Sequence, residues 1–119
     1  MEVLLVDDSR FMQERMLPLI EESNKVTSVY QVLNIESAKK ILLSQKISVV
    51  ITDIRMPGGN GFDLFKYIKS NFKEVKVIMM TNYPYPQYRE KAEQLGVDYF
   101  LSKTDDLDQL AAILNSLFN

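Results

Sequence analysis

Three runs of this chain, at residues 3–6 (Val-Leu-Leu-Val), 48–52 (Ser-Val-Val-Ile-Thr) and 76–80 (Lys-Val-Ile-Met-Met), are almost continuously apolar and rich in β-branched side chains. Consecutive side chains of an extended strand point to opposite faces, so strands of this kind must be covered on both sides. The stretches between them have helical rather than alternating periodicity. Buried strands separated by amphipathic helices imply right-handed crossovers and a parallel sheet sandwiched between two helical layers.

Read in order, the spacing predicts a strand at 3–6 and a helix over 9–23 with Phe11, Met12, Arg15, Met16 and Leu19 along it. Pro18 falls inside that helix and removes one backbone donor. An edge strand follows at 26–32, a helix at 36–45 and a buried strand at 48–52. The turn Met56-Pro57-Gly58-Gly59-Asn60-Gly61 leads into a helix with Phe62, Phe65, Ile68 and Phe72 on one stripe. A strand at 76–80, a helix at 86–95 stopped by Gly96, a short strand at 99–102 and a final helix from about Asp105 complete five βα units. That helix places Leu107, Leu110, Ala111, Leu114 and Leu117 on one face. The expectation is one domain over 1–119, with no room for an output domain.

Composition narrows the chemistry. The 119 residues include no Cys and no His. Disulfides, thiolate nucleophiles, imidazole ligands and Ser-His relays are therefore absent. Any metal should be a hard, oxygen-loving ion such as Mg²⁺ or Ca²⁺. A net charge of −2 offers no basic surface for nucleic acid. No apolar run is long enough to span a membrane and no signal peptide opens the chain, so the cytoplasm is the expected location.

In open parallel sheets, ligands bind beyond the carboxyl ends of the strands, where strand order reverses. Four predicted strands lead to polar residues at that edge: Asp7 and Asp8 after the first, Asp53 after the third, Thr81 after the fourth and Lys103 after the fifth. A strand order of 2-1-3-4-5 would bring three carboxylates, a hydroxyl and an ammonium together. Clustered carboxylates raise one another's pKa unless a cation joins them, and Mg²⁺ is suited to that place. A carboxylate can attack phosphorus to give an acyl phosphate, whose oxygens then need donors such as Lys103 and Thr81. Read singly, each residue has a plainer role. Asp8 or Ser9 fits a helix cap, Asp53 a turn before Met-Pro-Gly-Gly, and Lys103 a surface site. Asp63, Asp105, Asp106 and Asp108 fit helix first turns, and Asp98 a turn after Gly96. The conjunction at one sheet edge favours the chemical reading.

Across its whole length the chain resembles response-regulator receiver domains of two-component signalling systems. The matching motifs are Val-Leu-Leu-Val-Asp7-Asp8-Ser9, Val-Val-Ile-Thr-Asp53-Ile-Arg-Met-Pro57-Gly, Val-Ile-Met-Met-Thr81-Asn82, and Leu95-Gly96-Val-Asp-Tyr-Phe100-Leu-Ser-Lys103. The resemblance implies a flavodoxin-like, doubly wound (βα)5 α/β fold, with a five-stranded parallel sheet of order 2-1-3-4-5. It implies that Asp53 is the phosphoacceptor, served by a histidine kinase or phosphotransfer protein. Asp7, Asp8, Asp53 and the backbone carbonyl of Arg55 would bind Mg²⁺. Lys103 and Thr81 would bind the phosphoryl group, and Phe100 would change rotamer as the switch aromatic. The surface of the fourth and fifth helices and the strand between them would then present itself to a downstream protein or to a second copy. Such a domain is a signalling module rather than an enzyme. The alternative is an interaction domain of the same fold that works without phosphorylation.

Three departures from the family pattern stand out. Thr104 replaces the customary Pro after Lys103, Asn82 replaces a small residue after Thr81, and Tyr83-Pro84-Tyr85-Pro86 forms a stiff aromatic loop. Tyr83, Tyr85 and Tyr88 are either an aromatic docking patch or packing that shields the sheet edge.

Overall fold

The computed structural model describes residues 1–118. Five strands, β1 (Glu2–Val6), β2 (Ser28–Val32), β3 (Val49–Asp53), β4 (Lys76–Thr81) and β5 (Tyr99–Ser102), form one parallel sheet of order β2-β1-β3-β4-β5. Five helices connect and cover them: α1 (Arg10–Glu21), α2 (Ile35–Ser44), α3 (Gly61–Asn71), α4 (Pro86–Leu95) and α5 (Leu110–Ser116). This is the doubly wound α/β architecture expected of the sequence, with its strand order.

The continuous apolar runs have the anticipated cause. Leu4, Val6, Val50, Val77 and Met79 face one helical layer, packing with Ala38, Leu42, Phe62, Phe65 and Ile68. Their neighbours Val3, Leu5, Val49, Ile51, Ile78 and Met80 face the other, with Met16, Ile20, Leu110 and Leu114. Each central strand is thus buried on both faces, at about 25 cal/mol per Å² of apolar surface removed from water.

Local sequence sets the helix ends. The hydroxyl of Ser9 accepts the Met12 N–H, the Asn34 side chain accepts that of Ser37, and the Asn60 side chain that of Asp63. Ser9, rather than Asp8, is therefore the cap of α1. Gly96 ends α4 with φ 80°, a left-handed conformation that other residues adopt at a cost. Pro18 lies on the exposed side of α1, and the helix runs through it.

Four local expectations are corrected. Phe11 is 66% exposed, because α1 turns Met12, Gln13, Met16 and Ile20 inward instead. Strand β2 starts at Ser28 rather than at residue 26. The turn after β3 is itself paired, Arg55–Met56 running antiparallel to Gly59–Asn60 as a two-residue ribbon. Asp105 does not open the last helix. A 3₁₀ turn at Leu107–Gln109 precedes α5, and Ile113 is buried where Ala111 is only partly so.

Candidate functional site: a carboxylate cluster bridged by Lys103

The carboxyl ends of β1, β3 and β5 lie at one edge of the sheet, and their polar residues converge there. Lys103 follows β5 and is 2% exposed. Its ammonium donates to Asp7 Oδ2 at 2.5 Å and to Asp53 Oδ2 at 2.8 Å. Asp7 is 1% exposed. Burying these charges is tolerable only because they are paired and their remaining lone pairs are used. Asp7 Oδ1 accepts the Ser9 N–H at 2.9 Å, and Asp53 Oδ1 accepts that of Ile54 at 2.7 Å. Among the described residues no buried side-chain nitrogen or oxygen lacks a partner. The cluster is held in place before any ligand arrives.

Asp8 stands exposed at the mouth. One carboxylate oxygen each from Asp7, Asp8 and Asp53 lies within 4.8 Å of the other two. Three carboxylates here face one ammonium. Burial pushes the Asp53 carboxyl above its ordinary range; Lys103 opposes that shift and Asp7 reinforces it. An all-oxygen donor set with a negative surplus, one member open to solvent, fits a hard divalent cation. A cleft of about 400 Å³ opens beside it, lined by Asp8, Arg55, Met56, Pro57, Gly59 and Asn60. A larger hollow of about 500 Å³, walled by Leu42, Ile47, Phe72 and Val75, lies at the opposite sheet edge. It shares no residue with the cluster.

Thr81 ends β4 and is buried, and its hydroxyl oxygen accepts the Tyr83 N–H at 3.0 Å. Its carbonyl accepts the Lys103 N–H at 2.9 Å, fixing the Lys backbone to the neighbouring strand. Phe100 sits half-buried in β5 with the Arg89 guanidinium 4.7 Å from its ring centre. Where the family has Pro, Thr104 takes part in a turn built on Ser102. The Ser102 hydroxyl accepts the N–H groups of Thr104 and Asp105, and Asp106 accepts the Ser102 N–H. Asp98 accepts the Val77 N–H and pairs with Lys69 and Lys76, so it joins β4 to the turn before β5.

Sequence reasoning missed two supports. Gln13, buried at 5% exposure, donates its amide to the carbonyls of Asp7 and Val32 and so fixes the end of β1. A polar residue between Met12 and Met16 on an inward stripe was the available signal. Gly61 is the second. A Cβ there would lie 2.3 Å from the Asp53 carbonyl oxygen, so only glycine lets α3 start against the end of β3.

A doubly wound sheet with an acidic cluster and a lysine at the carboxyl ends of its strands carries its polar groups where such folds bind ligands. The family model for the response regulator receiver domain matches residues 3–115, and the chain belongs to that family. It is 28% identical over 114 residues to the sensory transduction protein LytT of Bacillus subtilis, covering 96% of this chain and 46% of LytT. It is 31% identical over 123 residues to the sensory transduction protein LytR of Streptococcus agalactiae, covering 92% of this chain and 50% of LytR. The isolated receiver domain of RcsB from Salmonella enterica serovar Typhimurium, solved with the phosphomimetic BeF3⁻, superposes with TM-score 0.91 at 26% identity. That match covers 98% of this chain and 87% of the other. The non-phosphorylated RcsB receiver domain from Escherichia coli gives TM-score 0.89 at 26% identity, over 98% and 92% of the two chains. The chain spans about a third to a half of the length of the curated relatives it matches. Receiver domains accept phosphoryl groups from histidine kinases and bind Mg²⁺ at an acidic pocket. Among the described residues, no helix is long and apolar enough to cross a membrane.

Proposed function

We propose that Asp53 is the phosphoacceptor and that Asp7, Asp8, Asp53 and the Arg55 backbone carbonyl hold Mg²⁺. One observation carries this reading: Lys103 bridges Asp7 and Asp53 inside a three-carboxylate cluster at the sheet's carboxyl edge. Of the three acids, Asp7 is sealed from solvent and Asp8 stands outermost, whereas Asp53 is partly open and ends the strand beside the cleft. An oxygen of Asp53 attacks the phosphorus of a donor such as a phosphorylated histidine kinase or phosphotransfer protein. The new O–P bond forms as the donor's bond to phosphorus breaks, and the electron pair leaves with the donor. Bound Mg²⁺ supplies charge neutralisation for the phosphoryl oxygens.

Lys103 is already 2.8 Å from the Asp53 carboxylate and needs no reorganisation to serve the product. Thr81 is the second donor. Its hydroxyl hydrogen is free to turn toward a phosphoryl oxygen, since its oxygen is the acceptor in the Tyr83 contact. Phe100, packed between strand and Arg89, follows Thr81 and reshapes the surface of α4, β5 and α5. That surface is the place for a downstream protein or a second copy.

The test is incubation with acetyl phosphate and Mg²⁺, read by intact mass. The expected result is one added phosphoryl group in the wild type, none in Asp53→Asn and none when Mg²⁺ is chelated. An unmodified wild type would overturn the proposal.

A further inference from the structure

Arg55 brings a second cation to the rim of the site. It lines the same cleft as Asp8, yet among the described residues it makes no ion pair. Its Nε donates instead to the Tyr88 hydroxyl at 3.1 Å, and its guanidinium lies 5.3 Å from the centre of the Tyr83 ring. Tyr83 stacks on Tyr85 at 5.9 Å, Tyr85 meets Tyr88 at 5.6 Å, and Tyr88 meets Phe62 of α3 at 6.3 Å. The next residue of α4, Arg89, covers Phe100. Consecutive side chains of α4 therefore hold the loop after Asp53 on one side and the switch aromatic on the other.

Helix α4 depends on those ties. Ala92 is its one fully buried residue, and no side chain caps its N-terminus. Tyr83 and Tyr85 are 46% and 43% exposed, so the outer rungs of the aromatic ladder are a surface feature beside Arg55, while Tyr88 packs against the core.

We infer that Arg55 is a movable cation that leaves Tyr88 for the phosphoryl oxygens on Asp53, and that its departure unlocks α4. The inference rests on the reading of Asp53 given above. In the unmodified protein, Arg55 has a neutral phenol as its acceptor. Phosphorylation turns a singly charged carboxylate two residues away into an acyl phosphate with nearly two negative charges and three strong acceptors, and hydrogen bonds between charged partners are roughly twice as strong as those to neutral ones. Arg55 is exposed, so its side chain can swing across the cleft without disturbing the core. Two acceptors then compete for one guanidinium, and the acceptor that holds it sets whether α4 is tied.

Competition makes two variants act in opposite directions on beryllofluoride binding in the presence of Mg²⁺. Tyr88→Phe removes the competing acceptor and keeps the ring. Its affinity rises about two- to fivefold, the scale of one lost hydrogen bond. In the unliganded variant, the amide resonances of residues 86–95 move toward their positions in liganded wild type. Arg55→Gln removes the cation, and affinity falls about threefold or more. If Tyr88→Phe weakens binding or leaves it unchanged, or if Arg55→Gln binds as wild type does, the exchange does not occur. A wild type that binds no beryllofluoride overturns the phosphoacceptor reading and this inference together. Binding by wild type with unaltered variants overturns the inference alone.

Discussion

At Asp53, burial and a bonded cation pull in opposite directions. Lys103 stabilises the ionised carboxyl, but desolvation outweighs it and Asp7 adds to the cost, so folding raises the pKa above its ordinary 3.8. The folded chain then holds this proton more tightly than the unfolded chain. Stability accordingly falls as pH rises through the interval between the ordinary and the raised value. At pH 7 the ionised group is a net burden on the fold. Replacing Asp53 with Asn removes the charge, leaves Lys103 paired with Asp7, and retains an oxygen that can accept the Ile54 N–H. Thermal denaturation of Asp53→Asn at pH 7 should show a Tm above that of the wild type. The gap should close as pH approaches 4, while the variant takes no phosphate. A Tm below wild type at pH 7 would mean that the Lys103 bridge outweighs burial. The residues of the site were legible in the sequence because each polar group interrupts an apolar run at a strand end. The tie from Arg55 to Tyr88 was not, since residues 33 positions apart meet only through the β3–α4 arrangement.

The elements were legible to the extent that one face of each was unambiguous. Strands β1, β3 and β4 stand out because both faces are apolar, and α4 because Pro86 and Gly96 mark its ends. Helix α1 was legible in extent but not in phase. Phe11 and Met12 are adjacent apolar residues, and only packing against β1 and β3 decides that Met12 goes in. The start of α5 was misread because Asp105 and Asp106 resemble first-turn acids; Asp106 instead receives the Ser102 N–H and shapes the turn that carries Thr104. The tightest joint between elements is at Gly61, where α3 begins against the backbone of Asp53 and the Gly61 N–H donates to the Ile54 carbonyl at 2.8 Å. A methyl group there meets backbone that cannot yield without moving Asp53. Gly61→Ala is therefore expected to destabilise the chain by about 2 kcal/mol in urea denaturation and to slow acceptance of phosphate. Unchanged stability would show that the joint has slack.

At the scale of the whole molecule, topology performs the assembly. The order β2-β1-β3-β4-β5 sets the ends of β1 and β3 side by side and brings β5 next to β4. Residues 96 and 50 positions apart in the chain, Asp7 with Lys103 and Asp53 with Lys103, thereby become hydrogen-bonded partners. Parallel crossovers put both helical layers on the faces and leave the carboxyl edge open for chemistry. Alternating apolar strands and helices made this architecture readable from sequence. The two-residue ribbon after β3 and the aromatic ladder on α4 were not, because both depend on distant neighbours. The central claim is that this edge makes Asp53 the residue that takes phosphate. An aspartyl phosphate is an acyl phosphate, and borohydride reduces it to the corresponding alcohol. Wild-type protein treated with acetyl phosphate and Mg²⁺, reduced and digested, should yield one altered peptide, with the change at residue 53. Reduction at Asp7 or Asp8, or at no residue, would contradict the account.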